Sequence, residues 1–166
     1  MDITIRAARP EEYPALGELT ARAYLDDGLL DSGESDSYLL VLRDVAGRAE
    51  ETEVLVAADS ASDEVLGGVA FVTPGSRYAD VAREDEGEFR MLAVAPAARR
   101  RGAAEALVRA CLDRAREAGL VGVVLSTQPQ MSAAHRLYRR LGFVRTPERD
   151  WEPIPGLRLQ TFSCGL

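Results

Sequence analysis

The sequence predicts an α/β fold, a mixed α+β layer built on one sheet. Three observations point to it. Strand-like and helix-like segments follow one another in the order β-α-α-β-β-β-α-β-α-β-β. The stretch Val121 to Ser126 is apolar almost throughout, as in a strand buried on both faces. Glu86 to Glu117 reads as strand, turn and helix, a unit that alternates the two periodicities within thirty-odd residues.

Each element has its own local reason. Ile3 to Ala8 alternates and reads as the first strand. Pro10-Glu11-Glu12 opens a helix, with proline near its first position and acids in its first turn. That helix runs through Leu16, Leu19 and Ala23 to about Tyr24, and Asp26-Asp27-Gly28 breaks it. A second helix is expected from about Asp36 to Ala49, with Leu39, Leu40, Leu42 and Val45 inward. Glu53 to Ala58 and Val65 to Thr73 form a hairpin about the turn Asp59 to Asp63. Pro74 to Asp85 is a polar loop. Glu86 to Val94 is the central strand, ended by Pro96. Arg101 to Ala118 is a helix stopped by Gly119. Met131 to Leu141 is a short helix stopped by Gly142, and Gln128-Pro129-Gln130 precedes it as a loop. Phe143 to Thr146 and Leu157 to Ser163 are the last strands, with Pro147 to Gly156 as the loop between them.

A chain of 166 residues with 46% hydrophobic and 28% charged residues fits one ordinary domain, residues 1–166, with a sizeable core. The start, MDITIRAARPEEY, lacks a basic segment followed by an apolar one. No signal peptide is expected, and a cytoplasmic location follows by default. No apolar run nears the roughly 18 residues of a membrane span. Two cysteines, Cys111 and Cys164, make no disulfide framework, and one histidine makes a metal site unexpected. The net charge of −7 argues against nucleic acid as a partner. The acids crowd Asp26 to Glu53 and Asp80 to Glu88, either as solvated loops or as a rim that attracts a cationic substrate.

The most informative stretch is Arg99-Arg100-Arg101-Gly102-Ala103-Ala104. It follows an apolar strand and opens a helix, so free backbone N–H groups gather there as an anion cradle. The small residues allow a diphosphate close to the backbone, and the arginines add charge and forked donors. The lysine and serine or threonine of a P-loop and the glycine spacing of a dinucleotide turn are both missing.

With this cradle, two further elements resemble the GNAT N-acetyltransferases. The cradle fits that family's Gln/Arg-x-x-Gly-x-Gly/Ala pattern, and Val94-Ala95-Pro96 fits its Val-x-Pro lead-in. Ala134-His135-Arg136-Leu137-Tyr138-Arg139-Arg140-Leu141-Gly142-Phe143 looks like its Ala-x-x-Leu-Tyr-x-x-x-Gly-Phe block. The match covers about Glu86 to Arg145. One departure is Met131, where many members carry an asparagine that holds the pantetheine arm. Ser132 follows it and is expected to cap the helix or to replace that contact.

The resemblance implies a GNAT fold: a central, mostly antiparallel sheet with a splayed parallel strand pair, flanked by helices. It implies acetyl-CoA as co-substrate, without a metal. The cradle Arg99, Arg100, Arg101, Gly102, Ala103 and Ala104 would take the phosphates. Leu92, Ala93 and Val94 would offer a strand edge to the peptide-like pantetheine arm, and a nearby N–H would steady the thioester carbonyl. The implied activity is acetyl transfer to a primary amine of a small molecule or peptide, directly within a ternary complex. Protein N-termini or lysines as acceptors, another acyl-CoA, and a non-catalytic acyl-CoA-binding sensor are the alternatives. The resemblance also leaves room for a homodimer through the terminal strands.

Amine acetylation needs a neutral nucleophile. An ammonium near pKa 10 and a free glutamate near 4.3 differ by about 8 kcal/mol in proton transfer. A carboxylate base must therefore have a raised pKa, use water, or meet an acidic amine. Glu88, eleven positions before Arg99, resembles the catalytic glutamate of histone-acetylating members; an outward strand residue is the other reading. Glu86 shares its face and is the lesser candidate. Tyr138 matches the family tyrosine and is the candidate acid or hydrogen-bond donor to the thiolate; packing on the sheet is its alternative. His135, three positions before Tyr138, is expected on the surface, with contact to CoA as the alternative. Asp150 and Trp151 lie in the late loop that often borders the acceptor in this fold, with Trp151 stacking on substrate or plugging the core. Tyr24, Asp26 and Asp27 are acceptor-side candidates for a cationic group.

Overall fold

The structure, a computed structural model, describes residues 2–166. The chain divides into two compact units. The first comprises Met1–Phe71 and Met91–Ala110, the second Val72–Arg90 and Cys111–Leu166. Thirteen labelled elements follow the expected order with two additions. They are β1 (Ile3–Ala7), α1 (Tyr13–Asp26), α2 (Tyr38–Arg43), α3 (Val45–Ala49), β2 (Glu53–Asp59), β3 (Val65–Val72), β4 (Glu86–Val94), α4 (Ala103–Glu117), β5 (Gly122–Thr127), α5 (Ser132–Arg140), β6 (Val144–Arg145), β7 (Trp151–Ile154) and β8 (Leu157–Gly165). The strand order is β1-β2-β3-β4-β5-β8-β6, with β7 paired to β8. The sheet is mostly antiparallel, and β4 and β5 are its parallel pair. Among the described residues no helix is long and apolar enough to cross a membrane.

In the first unit β1 pairs with β2 from Ile3↔Asp59 to Ala7↔Leu55, and β2 continues antiparallel to β3. Asp59 shapes the intervening turn by accepting the N–H groups of Ala61 and Ser62 at 2.8 and 3.0 Å. Helix α1 buries Leu16, Gly17, Thr20 and Ala21. Gly17 lies against the Arg43 carbonyl, where a Cβ would stand 2.5 Å from the oxygen, so only glycine allows that approach. The expected single helix over 36–49 is broken at Asp44, whose ψ of 67° leaves the helical range and whose Oδ1 accepts the Gly47 N–H at 3.0 Å. Buried Arg48 closes the break by donating to the Val41 and Leu42 carbonyls that end α2. Leu39 and Leu42 face the core as expected, but Leu40 is 74% exposed, because the helical period that turns Leu39 and Leu42 inward turns it away.

In the second unit the parallel ladder runs from Glu86↔Gly122 to Glu88↔Val124. Strand β5 continues through Leu125–Thr127 and pairs with β8 along its whole length, Gly122↔Gly165 to Thr127↔Gln160. Its pattern is buried at five of six positions, as the apolar run requires. Strand β7 lies inside the expected loop 147–156. Pro153 hid it, because proline is tolerated only where a strand lies at an edge, and β7 is an outer partner of β8.

Candidate active site

Strand β4 belongs to both units, Glu86–Arg90 to the second and Met91–Val94 to the first. Midway along it Met91 has φ 59°. A left-handed residue inside a strand marks a bulge and costs about 1–3 kcal/mol. Met91 is held there by its own side chain, buried in a cluster with Ala21, Leu39 and Leu42. No sequence signal announces this bend, since methionine is not a left-handed residue by preference.

Beyond the bend, in the first unit, Leu92 and Val94 are half-buried and Ala93 is buried. A single 3-10 turn, Pro96–Ala98, leads to the cradle. Arg100 and Gly102 have φ of 70° and 83°, and a Cβ on Gly102 would meet open space. Among the described residues the N–H groups of Arg100, Gly102, Ala103 and Ala104 have no hydrogen-bond partner within the chain. Unpaired donors at a helix start, beside an open glycine, suit a diphosphate. The three arginines differ. Arg101 is committed to the carboxylates of Asp2 and Asp59, the latter at 2.9 Å. The Ser62 N–H, Arg101 and the Ala61 N–H hold the Asp59 carboxyl down at about 2. Arg99 pairs with Asp27 at 3.5 Å. Exposed Arg100 has no ion pair among the described residues. Of the acceptor-side candidates, Asp27 thus faces Arg99, Asp26 pairs with Arg22 at 3.3 Å, and Tyr24 tilts against Tyr38 with centroids 6.2 Å apart.

In the second unit Glu88 is 1% exposed. Its Oε1 accepts the N–H groups of Val81 and Ala82, each at 2.9 Å. Burial pushes its carboxyl above the usual range; the two N–H donors and Arg90 counter this, while Asp80 adds to the rise. Glu86 behaves oppositely. Burial pushes its carboxyl up too, but Arg149 and the Arg83 N–H outweigh that and hold it below the usual range. Arg149 meets it in a two-pronged pair at 2.7 and 3.1 Å. Glu86 is therefore an ion-pair partner, and Glu88 is the carboxylate suited to take a proton.

The Tyr138 ring, 4% exposed, is enclosed by Phe89, Phe143 and Phe162 at centroid distances of 5.9, 5.9 and 6.0 Å. Burial first, and Cys111 second, push its hydroxyl well above its ordinary value. It keeps its proton at neutral pH. His135, expected on the surface, is 7% exposed. It bonds Thr127 at 3.2 Å and lies 5.1 Å from Phe162, and burial lowers its basicity. Its position i−3 from Tyr138 on α5 carries it to the same inward face. Ser132 is exposed and is the first residue of α5. The cap position falls to Met131 with no side-chain cap bond, so Ser132 does not cap the helix as expected. Asp150 is tied down by Arg145 at 2.8 and 3.0 Å and by the Thr161 N–H. Trp151 donates its Nε1–H to Ser126 at 2.9 Å. Arg149, two residues before Trp151, was not singled out by any motif.

The fold has close counterparts. An acetyltransferase of the GNAT family from Staphylococcus aureus Mu50 superposes with a TM-score of 0.76 at 14% identity, over 99% of both chains. A Salmonella typhimurium protein solved with its cofactor acetyl-CoA gives 0.73 at 24% identity, over 100% of this chain and 95% of that one. The PaiA N-acetyltransferase of Thermoplasma acidophilum, solved with coenzyme A, gives 0.75 at 16% identity over the full length of both. Among curated proteins none matches the chain. The model of the acetyltransferase (GNAT) family matches residues 13–143, most of the chain and parts of both units. The chain therefore belongs to the GNAT acetyltransferase family and is an acyltransferase.

Proposed function

We propose that the chain moves an acetyl group from acetyl-CoA to a primary amine of a small molecule or peptide, by direct transfer in a ternary complex. The observation that carries this is Glu88, a buried carboxylate whose pKa lies above the usual range. A raised pKa narrows the proton-transfer gap to an ammonium, which for a free glutamate is about 8 kcal/mol. Glu88 takes the amine proton. Leu92, Ala93 and Val94 lie four to six residues further along the same strand, past the Met91 bend, and present the edge for the pantetheine arm. Arg100 and the free N–H groups of Gly102, Ala103 and Ala104 hold the phosphates, with Arg99 contributing charge. Arg101 acts on the cradle through Asp59, by fixing the turn before α4. Tyr138 donates a hydrogen bond to the departing thiolate. Ser132, exposed at the start of α5, would replace the pantetheine contact that Met131 cannot make. Tyr24, Asp26, Asp27 and Trp151 are the candidates for contact with the amine, of which Asp26 and Asp27 are paired with Arg22 and Arg99. Bound acetyl-CoA supplies the thioester and the thiol leaving group. Residues 1–166 act as one domain in this reading, supported by a family match that runs through both units.

The test is thiol release from acetyl-CoA across polyamines, aminoglycosides, amino acids and short peptides, with calorimetry on CoA alongside. Turnover with one amine class, lost in Glu88→Gln, supports the reading. Absence of CoA binding overturns it.

A further inference from the structure

We propose that Arg149 is a positioning residue for Glu88, acting through the peptide group that joins Val81 to Ala82. This rests on Glu88 being the base. Arg149 Nη2 donates to the Val81 carbonyl at 2.8 Å. The N–H of Ala82 belongs to that same planar amide, and it donates to Glu88 Oε1 at 2.9 Å. A trans amide points its C=O and N–H in opposite directions, so a cation holding the oxygen aims the N–H at the carboxylate. Donors and acceptors in such a chain polarise one another, which strengthens the final bond.

The surroundings make this a built arrangement. Arg149 is itself fixed by its two-pronged pair with Glu86, both side chains 11% exposed. Glu86 also accepts the Arg83 N–H at 3.0 Å. On the other side Arg90 donates to the Tyr78 carbonyl at 3.2 Å and pairs with Asp80 at 3.3 Å. Four side chains, Glu86, Glu88, Arg90 and Arg149, thereby hold the loop from 78 to 83. The charged groups around Glu88 are Asp80 on that loop, Glu86 and Arg90 on β4, and Arg149 in the turn after β6. Its partner across the ladder, Val124 on β5, is apolar. Losing Arg149 removes a cation and loosens two N–H donors, and both changes disfavour the ionised carboxylate.

The experiment is side-chain carboxyl NMR on glutamate-labelled full-length protein, with the Glu88 signal assigned by its loss in Glu88→Gln. Backbone amide shifts of Val81 and Ala82 are followed over the same pH range. In the wild type all three report one midpoint. In Arg149→Met that midpoint rises by about one pH unit and the two amides respond less. Arg149→Lys keeps the charge without the fork and falls between them; it also carries the test if the methionine variant does not fold. An unchanged midpoint and unchanged amide responses in a folded variant overturn the proposal. Turnover separates it from the base assignment. If Glu88→Gln keeps its rate, the base assignment fails whatever Arg149 does. If Glu88→Gln is inactive while Arg149→Lys keeps both the wild-type midpoint and kcat, the positioning role alone fails.

Discussion

Arg101 donates to Asp59 at 2.9 Å, which binds the loop before α4 to the turn after β2. Two adjacent arginines in one basic run therefore differ: Arg101 is paired with carboxylates, and Arg100 has no ion pair among the described residues. Arg100→Ala removes an uncommitted cation from the cradle and should weaken CoA about tenfold, the worth of one charge-assisted contact. Arg101→Met should change CoA affinity by about twofold or less and lower the melting temperature slightly, since exposed ion pairs contribute little. Calorimetric titration of CoA and thermal unfolding on the same two variants separate the roles. Equal losses of affinity would contradict the division.

Glu88 gives a pH prediction with a definite sign. Its folded pKa is raised, so the protonated form favours folding. That contribution is complete below the unfolded value of about 4.3 and is lost as pH rises through the higher folded value. Glu88→Gln is neutral throughout. Its stability relative to the wild type should therefore increase from about pH 4 upward and level off above the folded midpoint, while its turnover is lost. Denaturant unfolding at a series of pH values checks this. A flat difference would mean that Glu88 is not perturbed.

Glu86 behaves in the opposite sense. Its folded pKa is depressed, so its contribution is present above about 4.3 and lost as pH falls through the folded value. Glu86→Gln leaves Arg149 largely buried without its counter-charge. It should cost about 3 kcal/mol at neutral pH, read as a drop in the denaturant midpoint. The cost should shrink in acid.

Gly67 sets how closely β3 approaches the far half of β4. A Cβ there would stand 2.6 Å from the Ala93 carbonyl oxygen, a backbone atom that cannot swing aside. Gly67→Ala should destabilise by about 1–3 kcal/mol and displace the edge Leu92–Val94. The proposed arm-binding edge then predicts weaker CoA binding as well. A purely structural edge would lose stability and keep affinity in the folded fraction.

Most of the fold was legible because its elements obey local rules. The strand at 86–94, the helix stop at Gly119 with φ 75° and the buried run at 122–127 each follow from patterning or turn chemistry. What escaped depends on partners distant in sequence. Asp44 breaks a good helical pattern because its carboxylate caps the next turn and Arg48 satisfies the freed carbonyls. The environment of Glu88 depends on a loop peptide and on Arg149, 61 residues later, which no spacing in the sequence links. His135 was misplaced because its polarity suggested solvent, whereas Thr127 and Phe162 accommodate it inside.

Met91 predicts an inverted substitution order. Glycine in a strand is ordinarily worse than alanine by about 0.5–1 kcal/mol. At φ 59° the preference reverses, because alanine keeps the left-handed penalty and glycine does not. Both changes lose the buried side chain, a cost of about 2–5 kcal/mol. Met91→Gly should therefore be at least as stable as Met91→Ala in denaturant unfolding. If alanine proves clearly better, the bend is not held in this conformation.

Tyr138 separates packing from chemistry. Its ring lies among three phenylalanines, so Tyr138→Phe keeps every ring contact and should leave stability within about 1 kcal/mol. The hydroxyl alone is lost. A donor to a developing thiolate is worth about 1.5–3 kcal/mol, which predicts a fall in kcat of about tenfold to a hundredfold at nearly constant KM. Because burial holds the hydroxyl pKa well above its ordinary value, this loss should not vary with pH between about 6 and 9. A rate defect that shrinks as pH rises through that range would instead mark Tyr138 as a titrating acid, because the wild type would lose the same proton. An unchanged kcat would leave it a packing residue.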